Sequence, residues 1–151
     1  MQALLFRLGP EHFALNLAEL TAILPTSRIV PIPHAPPEIC GEFNWRGRMV
    51  PIIDLRQLFF GRPCEWTLIT RLIVFRWQGR TQRANVALRA EGITDTIDYR
   101  PQDLQKPSVA DPERPGIVGT LVSSVGAVRL LDPQALVWEK FHEVLFREAA
   151  S

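Results

Sequence analysis

The side chains that most often carry out covalent or metal chemistry are few in this sequence, and they stand far apart. Cys40 and Cys64 are 24 positions apart, which is not the C-x-x-C spacing of a zinc or redox site. His12, His34 and His142 are scattered, and each sits in a segment typical of a surface histidine. A thiol nucleophile would need a lowered pKa beside a histidine or a cation. We therefore predict buried thiols, no metal and no cofactor, and we keep a cysteine-dependent enzyme as an alternative.

The sequence also lacks the motifs of several enzyme classes. It has no glycine-rich nucleotide-binding pattern, no P-loop, no H-E-x-x-H zinc motif and no G-x-S-x-G nucleophile turn. Asp54, Asp95 and Asp132 stand where a helix favours an acid, because a carboxylate accepts hydrogen bonds from the first free N–H groups. We predict that these aspartates are helix caps and that the protein is not an enzyme.

The distribution of charge argues against a nucleic-acid partner. Arginine outnumbers lysine fifteen to two, but Asp and Glu interleave with it and the formal net charge is only +1. A nucleic-acid-binding domain carries a clustered surplus of basic residues instead. The pattern favours recognition of protein partners, and Trp45 beside Arg46 is a candidate contact because Trp and Arg are favoured in interfaces.

Length and composition limit the elements that position these residues. A chain of 151 residues, 46% of them hydrophobic, fits one domain or two very small ones tightly joined. Thirteen prolines exclude long helices, since a proline inside a helix costs about 3 kcal/mol. No apolar run approaches the ~20 residues of a membrane span, and the first residues do not form a signal peptide. We expect a soluble, cytoplasmic, strand-rich protein without direct membrane insertion.

Turn signals divide the chain into two series of short strands, about 1–62 and about 70–131. The first series predicts a hairpin over 4–16, a short helix over 17–24, an edge strand over 28–32, a helical turn over 36–40 closed by Gly41, a hairpin over 42–53 and a helix over 55–60. The second predicts strands over 72–75 and 83–90, a short element over 91–97, a loop over 99–115 and a hairpin over 117–131. Asp132 and Pro133 then open an amphipathic C-terminal helix over about 133–148.

One segment of the first series carries a family resemblance. Residues 41–56, G-E-F-N-W-R-G-R-M-V-P-I-I-D-L-R, resemble the signature of CheW-like coupling domains, which runs G-x-x-N-L-R-G-x-x-V-P-[IV]-[IV]-D-L-R. Residues 13–17 and 32–37 look like the early strand and the P-x-A-P turn of that family. Weaker similarity continues through 87–93, 117–119 and 130–132, so that the resemblance spans nearly the whole chain.

The resemblance implies a fold and a function. The fold is mainly β, with two small SH3-like five-stranded β-barrels packed together, short helices and a C-terminal helix. Residues 1–151 would form a single domain of two intertwined halves. The function would be that of a non-enzymatic adaptor, without a cofactor, in bacterial chemosensory signalling. It would couple the tip of a methyl-accepting chemoreceptor to the regulatory domain of a CheA-type histidine kinase, in the cytoplasm at receptor arrays of the inner membrane.

The resemblance also implies where partners bind. Carried over by position, the family's receptor contact falls on Leu20, Ile23, Asn44, Arg46 and Gly47, and Trp45 joins this set of receptor- or kinase-binding residues. Two readings stay open at this stage. Arg46 could brace the turn or contact the partner, and the two aliphatic residues could equally belong to the core.

The sequence departs from the family pattern at four positions. Trp45 replaces a leucine, Arg89 interrupts an apolar strand, Glu91 replaces an aspartate and Ala87 replaces a glycine. With these departures the chain resembles coupling proteins of alternative chemosensory pathways, such as the Wsp-type pathway. The competing interpretation is a small β-barrel module that binds peptides or nucleic acid. Self-association could also use the edge strands or the Trp138, Phe141 and Leu145 face.

Overall fold

The structure is a computed structural model that describes residues 1–65, 67–93, 95–107 and 114–145. Within these ranges the strands are β1 (Gln2–Leu8), β2 (Glu11–Asn16), β3 (Ala22–Pro25), β4 (Ile39–Trp45), β5 (Arg48–Asp54), β6 (Arg71–Gln78), β7 (Arg83–Ala90), β8 (Asp95–Asp98), β9 (Ile117–Ser123) and β10 (Gly126–Leu131). The α-helices are α1 (Leu55–Phe60), α2 (Pro133–Leu136) and α3 (Glu139–Leu145). None of these helices is long and apolar enough to cross a membrane.

The strands form two five-stranded sheets, which confirms the predicted mainly β architecture with short helices. The strand order is β8-β1-β2-β10-β9 in the first sheet and β3-β6-β7-β5-β4 in the second. The β10–β2 and β5–β7 pairs are parallel, and the other pairs are antiparallel. The first sheet therefore takes strands from both ends of the chain, whereas the second is built from the consecutive strands β3 to β7. The two strand series predicted from the sequence do not correspond to the two sheets.

Three apolar cores explain why several strands are continuous runs of hydrophobic residues. Side chains alternate between the two faces of a strand. On β1, Leu4 and Phe6 belong to a central core that both sheets share, whereas Ala3 and Leu5 belong to a small core of the first sheet alone. On β6, Ile73 and Phe75 face the central core, and Leu72 and Val74 face a small core of the second sheet. Because both faces are buried, both must be apolar.

The helix predicted over 17–24 is wrong. Leu17–Glu19 forms one 3-10 turn, and β3 follows it. Asn16 caps this turn, because its side-chain oxygen accepts a hydrogen bond from the N–H of Ala18. In β3 the residues alternate, with Ala22 and Leu24 packed against the small core of the second sheet. The apolar spacing that predicted the helix is not that of a strand, since the adjacent residues Ile23 and Leu24 face opposite sides of β3. Pairing of β3 with β6 decides in favour of the strand, which shows that tertiary contact overrides local propensity.

The helical turn predicted over 36–40, with Gly41 at its end, is reduced to one turn, in which the N–H of Ile39 donates to the carbonyl oxygen of Pro36 at 3.0 Å and β4 begins at once. Gly41 lies inside β4 with φ of 143°. A β-carbon on this residue would lie 2.5 Å from Cγ2 of Ile29 and 2.6 Å from the carbonyl oxygen of Val30. The glycine therefore permits close approach of the preceding segment. The edge strand predicted over 28–32 is reduced to a single bridge between Val30 and Glu42.

The C-terminal helix predicted over 133–148 is interrupted. The structure shows α2 and α3 separated at Val137, whose ψ of 81° is not helical. Leu136, Val137 and Phe141 are all buried in the central core, so the interruption accompanies insertion of apolar side chains on both sides of it. Residues 146–148 of the predicted helix lie outside the described residues, as do 108–113 of the predicted loop over 99–115.

Candidate functional site

The turn between β4 and β5 presents four of the six predicted site residues. Trp45, the last residue of β4, pairs with Arg48, the first residue of β5, so Arg46 and Gly47 form a two-residue turn. Their φ angles are 54° and 83°. Positive φ at both central residues is the pattern of a type I′ turn, which matches the twist of a hairpin. We call residues 44–48 the hairpin tip.

Two side-chain contacts hold the hairpin tip together. The Asn44 side-chain oxygen accepts a hydrogen bond of 3.0 Å from the N–H of Gly47. The Arg46 guanidinium carbon lies 4.6 Å from the centroid of the Trp45 ring, which is a cation–π contact. Trp45 is half-buried against the small core of the second sheet, and the other three residues are exposed. Asn44 and Gly47 therefore shape the turn, while Arg46 points a guanidinium outward.

The surroundings of the hairpin tip are basic. Arg48 is exposed at the start of β5, and Arg28 lies two residues before the Val30–Glu42 bridge. Because that bridge is antiparallel, the chain before Val30 runs towards the tip. Arg28, Arg46 and Arg48 take part in none of the described ion pairs. Met49, with 45% of its surface exposed, adds an apolar side chain next to them.

The two aliphatic site residues lie elsewhere, on β3 and just before it. Ile23 is on β3 opposite Ile73 and is 39% exposed, so it is not a core residue. Leu20 follows the 3-10 turn and is partly buried against the central core. We call Leu20 and Ile23 the β3 surface. It differs from the hairpin tip because Leu20 packs against the central core and Ile23 lies on β3, which pairs with β6 and not with β4. Within the described residues, no hydrogen bond, ion pair or ring contact connects the two surfaces.

A polar cleft of about 410 Å³ adjoins Leu20. Burial, and next the charge of Asp132, raise the pKa of the Glu19 carboxyl in this cleft. Asp132 accepts a hydrogen bond of 3.0 Å from the N–H of Gln134, which confirms its prediction as a helix cap. The Gln134 side chain in turn accepts from the N–H of Gln78 at 2.9 Å and donates to the carbonyl oxygen of Arg76 at 2.8 Å. One amide thus connects α2 to β6, where β3 no longer pairs.

Asp54 has a larger role than the predicted helix cap. One carboxylate oxygen accepts the N–H of Gln57 at 3.0 Å, as predicted for the start of α1. The other accepts from Nε and Nη2 of Arg89 at 2.9 and 2.6 Å, and the N–H of Cys64 donates to it at 3.0 Å. Sequence analysis singled out Arg89 only as a charge inside an apolar strand. The charge of Arg89 was the feature of the sequence from which a buried acidic partner could have been inferred, since an isolated buried charge is strongly unfavourable.

The two thiols are not activated nucleophiles. Burial raises the pKa of Cys40 to about 11. Burial, and next the charge of Asp54, raise the pKa of Cys64 as well. The Cys64 sulfur lies 3.4 Å from the carbonyl oxygen of Arg89. A raised pKa disfavours the reactive thiolate at neutral pH. No group of three or more potential metal ligands occurs in the part of the chain that the structure describes.

The chain that forms these two sheets belongs to a known class of signalling domain. The model of the CheW-like domain family matches residues 2–140, and the chain belongs to this family. A probable chemotaxis protein CheW of Rhizobium etli is 27% identical over 136 residues, which cover 89% of this chain and 85% of the relative. The chemotaxis protein CheW of Rhizobium meliloti is 29% identical over 100 residues, which cover 66% of this chain and only 62% of that protein.

A solved structure has a similar fold. The crystal structure of the scaffolding protein TtCheW from Thermoanaerobacter tengcongensis superimposes with a TM-score of 0.79. The match covers 91% of this chain and 87% of that one, at 20% sequence identity. The two chains therefore share an arrangement of strands although four residues in five differ.

Proposed function

We propose that this protein is a non-enzymatic coupling adaptor of a bacterial chemosensory pathway. It binds the signalling tip of a methyl-accepting chemoreceptor and the regulatory domain of a CheA-type histidine kinase, and it brings the two together in the cytoplasm. The observation that carries the proposal is the family match over residues 2–140. Relatives described as chemotaxis proteins, and a structural neighbour described as a scaffolding protein, support it.

The geometry of the two candidate surfaces supports an adaptor. A protein that connects two partners needs contact regions that do not compete for the same space. The hairpin tip lies at the β4–β5 turn, whereas Ile23 lies on β3, which pairs with β6 and not with β4. The tip offers Asn44, Trp45, Arg46 and Gly47, and the β3 surface offers Leu20 and Ile23. We propose that receptor and kinase contacts use these six residues.

The chemistry of the chain also supports a role without catalysis. An adaptor transmits a signal through binding and needs no activated nucleophile or general base. The raised pKa values of Cys40 and Cys64 suit structural thiols, and Asp54 and Asp132 are occupied as helix caps. We propose that the protein acts without a cofactor.

A binding experiment with both partners tests the proposal. The purified chain is titrated separately with the kinase regulatory domain and with a cytoplasmic receptor fragment, both taken from the source organism, and the three are then mixed. We expect each pair to bind and the mixture to form a ternary complex on size-exclusion chromatography. Absence of binding to either partner at about 100 µM, where the binding free energy is only about −5.5 kcal/mol, would contradict the proposal.

A further inference from the structure

Arg46 occupies a backbone conformation that arginine disfavours. Its φ is 54°, in the first central position of the type I′ turn. Asn, Asp and Gly are the residues that such a position prefers, because a β-carbon crowds the following carbonyl oxygen in the left-handed region. Gly has no β-carbon, and the short polar side chains of Asn and Asp can hydrogen-bond locally. The Arg46 side chain has no hydrogen bond to the backbone among the described contacts that would offset this strain. Strained residues at exposed sites often serve a function.

The Arg46 guanidinium is already oriented for binding. It lies over the Trp45 ring, with 4.6 Å between the guanidinium carbon and the ring centroid. This contact covers one face of the guanidinium and leaves the N–H groups along its edge without a hydrogen-bond partner in the described part of the chain. A planar fork of donors fits a carboxylate in a bidentate pair. Because the side chain is held in place, binding loses less side-chain entropy.

The charge around Arg46 is positive and unbalanced. Arg28 and Arg48 are exposed and take part in none of the described ion pairs, whereas Glu42 is the acidic residue of β4. Three arginines therefore stand against one glutamate at this end of the sheet. A complementary surface would carry negative charge, which speeds association and excludes basic partners.

We propose that the hairpin tip, together with Arg28, binds a carboxylate-rich segment of the partner protein, with Arg46 in a bidentate pair with an Asp or Glu. This inference rests on the proposed function, because it gives the chemistry of the partner at one of the two surfaces. A nucleic acid is the less suitable occupant. The net charge of the chain is only +1, and Trp45 is half-buried beneath Arg46 rather than open for base stacking.

The Arg46→Asn variant separates binding from folding. Asparagine suits a positive φ, so the variant should fold at least as well as the wild type while losing the charge and the fork of donors. Arg46→Lys keeps the charge without the fork. Arg80→Asn is the matched control, because Arg80 is an exposed arginine in the turn between β6 and β7 and also lies outside the described ion pairs.

The test uses the full chain with both partners and with a simple probe. We expect Arg46→Asn to weaken binding of the receptor fragment or the kinase domain about tenfold and to flatten the salt dependence. Arg46→Lys should fall between, and Arg80→Asn should match the wild type. In NMR, hexaglutamate should shift the amide signals of residues 44–48 in the wild type but not in Arg46→Asn, and hexaglutamine should shift neither.

The outcomes distinguish the inference from the proposed function. If the wild type binds both partners and Arg46→Asn binds them equally well, the inference is wrong and the adaptor function stands. If the wild type binds neither partner, the adaptor function fails, while the hexaglutamate shifts still report whether the tip recognises carboxylates. If a 12-nucleotide single strand of DNA shifts the same amides more strongly than hexaglutamate, with the same dependence on Arg46, the acidic-protein assignment is overturned.

Discussion

Arg89 and Asp54 form a buried ion pair between two parallel strands. They lie opposite each other in the β5–β7 register, and the Arg89 Nη2 and Asp54 Oδ2 atoms are 2.6 Å apart. The side chains are 8% and 1% exposed. The same carboxylate starts α1 and accepts the N–H of Cys64, so the pair connects β5, β7, α1 and the loop after α1. The pair thus joins four elements through one carboxylate and one guanidinium, both buried.

The Arg89→Met variant should strongly destabilise the protein. Methionine fills much of the same space but leaves the Asp54 carboxylate buried without its cation, and loss of one partner of a buried ion pair costs about 3–5 kcal/mol. Urea unfolding followed by tryptophan fluorescence measures the difference. Arg83→Met, at an exposed position of the same strand, should change the free energy of unfolding by no more than about 0.5 kcal/mol. Equal effects of the two substitutions would argue against a structural role for the pair.

Substitutions at the two central positions of the β4–β5 turn should have opposite effects on stability. Gly47→Ala should lower the free energy of unfolding by about 1 kcal/mol, because φ is 83° there, although a β-carbon would meet no neighbouring atom. Arg46→Asn should raise it by up to about 1 kcal/mol, because asparagine tolerates φ of 54°. Thermal unfolding of both variants gives the signs. A loss of stability in Arg46→Asn would mean that the stacking on Trp45 outweighs the strain.

The parts of the fold that the sequence predicts are those fixed by local chemistry. The hairpin around Arg46 and Gly47 and the cap at Asp54 depend on residues that are close in the chain. By contrast, β3 is a strand because β6 lies beside it about fifty residues later, and no local pattern contains that information. The contact between Asp54 and Arg89 likewise depends on the register of parallel strands 35 residues apart.

The candidate site divides in the same way. Asn44, Trp45, Arg46 and Gly47 lie together at the β4–β5 turn, as their closeness in the sequence predicts. The sequence could not show that Ile23 lies on a strand that pairs with β6 and not with β4, since strand order is a property of the whole sheet. The sequence could not show the backbone strain at Arg46 either, because the φ angle depends on the type of turn that the chain forms there.

The stability of the protein should fall with rising pH in the alkaline range because of its two buried thiols, and Cys40 should account for part of this fall. Burial raises the pKa of this thiol from an ordinary value of 9.0 to about 11 in the folded state. The unfolded chain releases the proton at lower pH, so the stability present below about pH 9 declines as pH rises towards 11. Urea unfolding at pH 8 and pH 10 measures the slope. Cys40→Ala should be less stable at pH 8 but should show a smaller decrease between the two pH values, and an unchanged slope would contradict the assignment.

The Gln134→Ala variant should loosen the connection between α2 and β6. Its amide accepts from the N–H of Gln78 and donates to the carbonyl oxygen of Arg76, beyond the part of β6 that pairs with β3. Both groups can reach water after the substitution, so we expect a modest loss of about 1 kcal/mol. The sharper readout is hydrogen exchange, in which the Gln78 amide should exchange faster. Gln134→Glu keeps an acceptor for that amide and should retain part of its protection. If the alanine and glutamate variants expose the Gln78 amide equally, then the side chain of residue 134 is not what protects it.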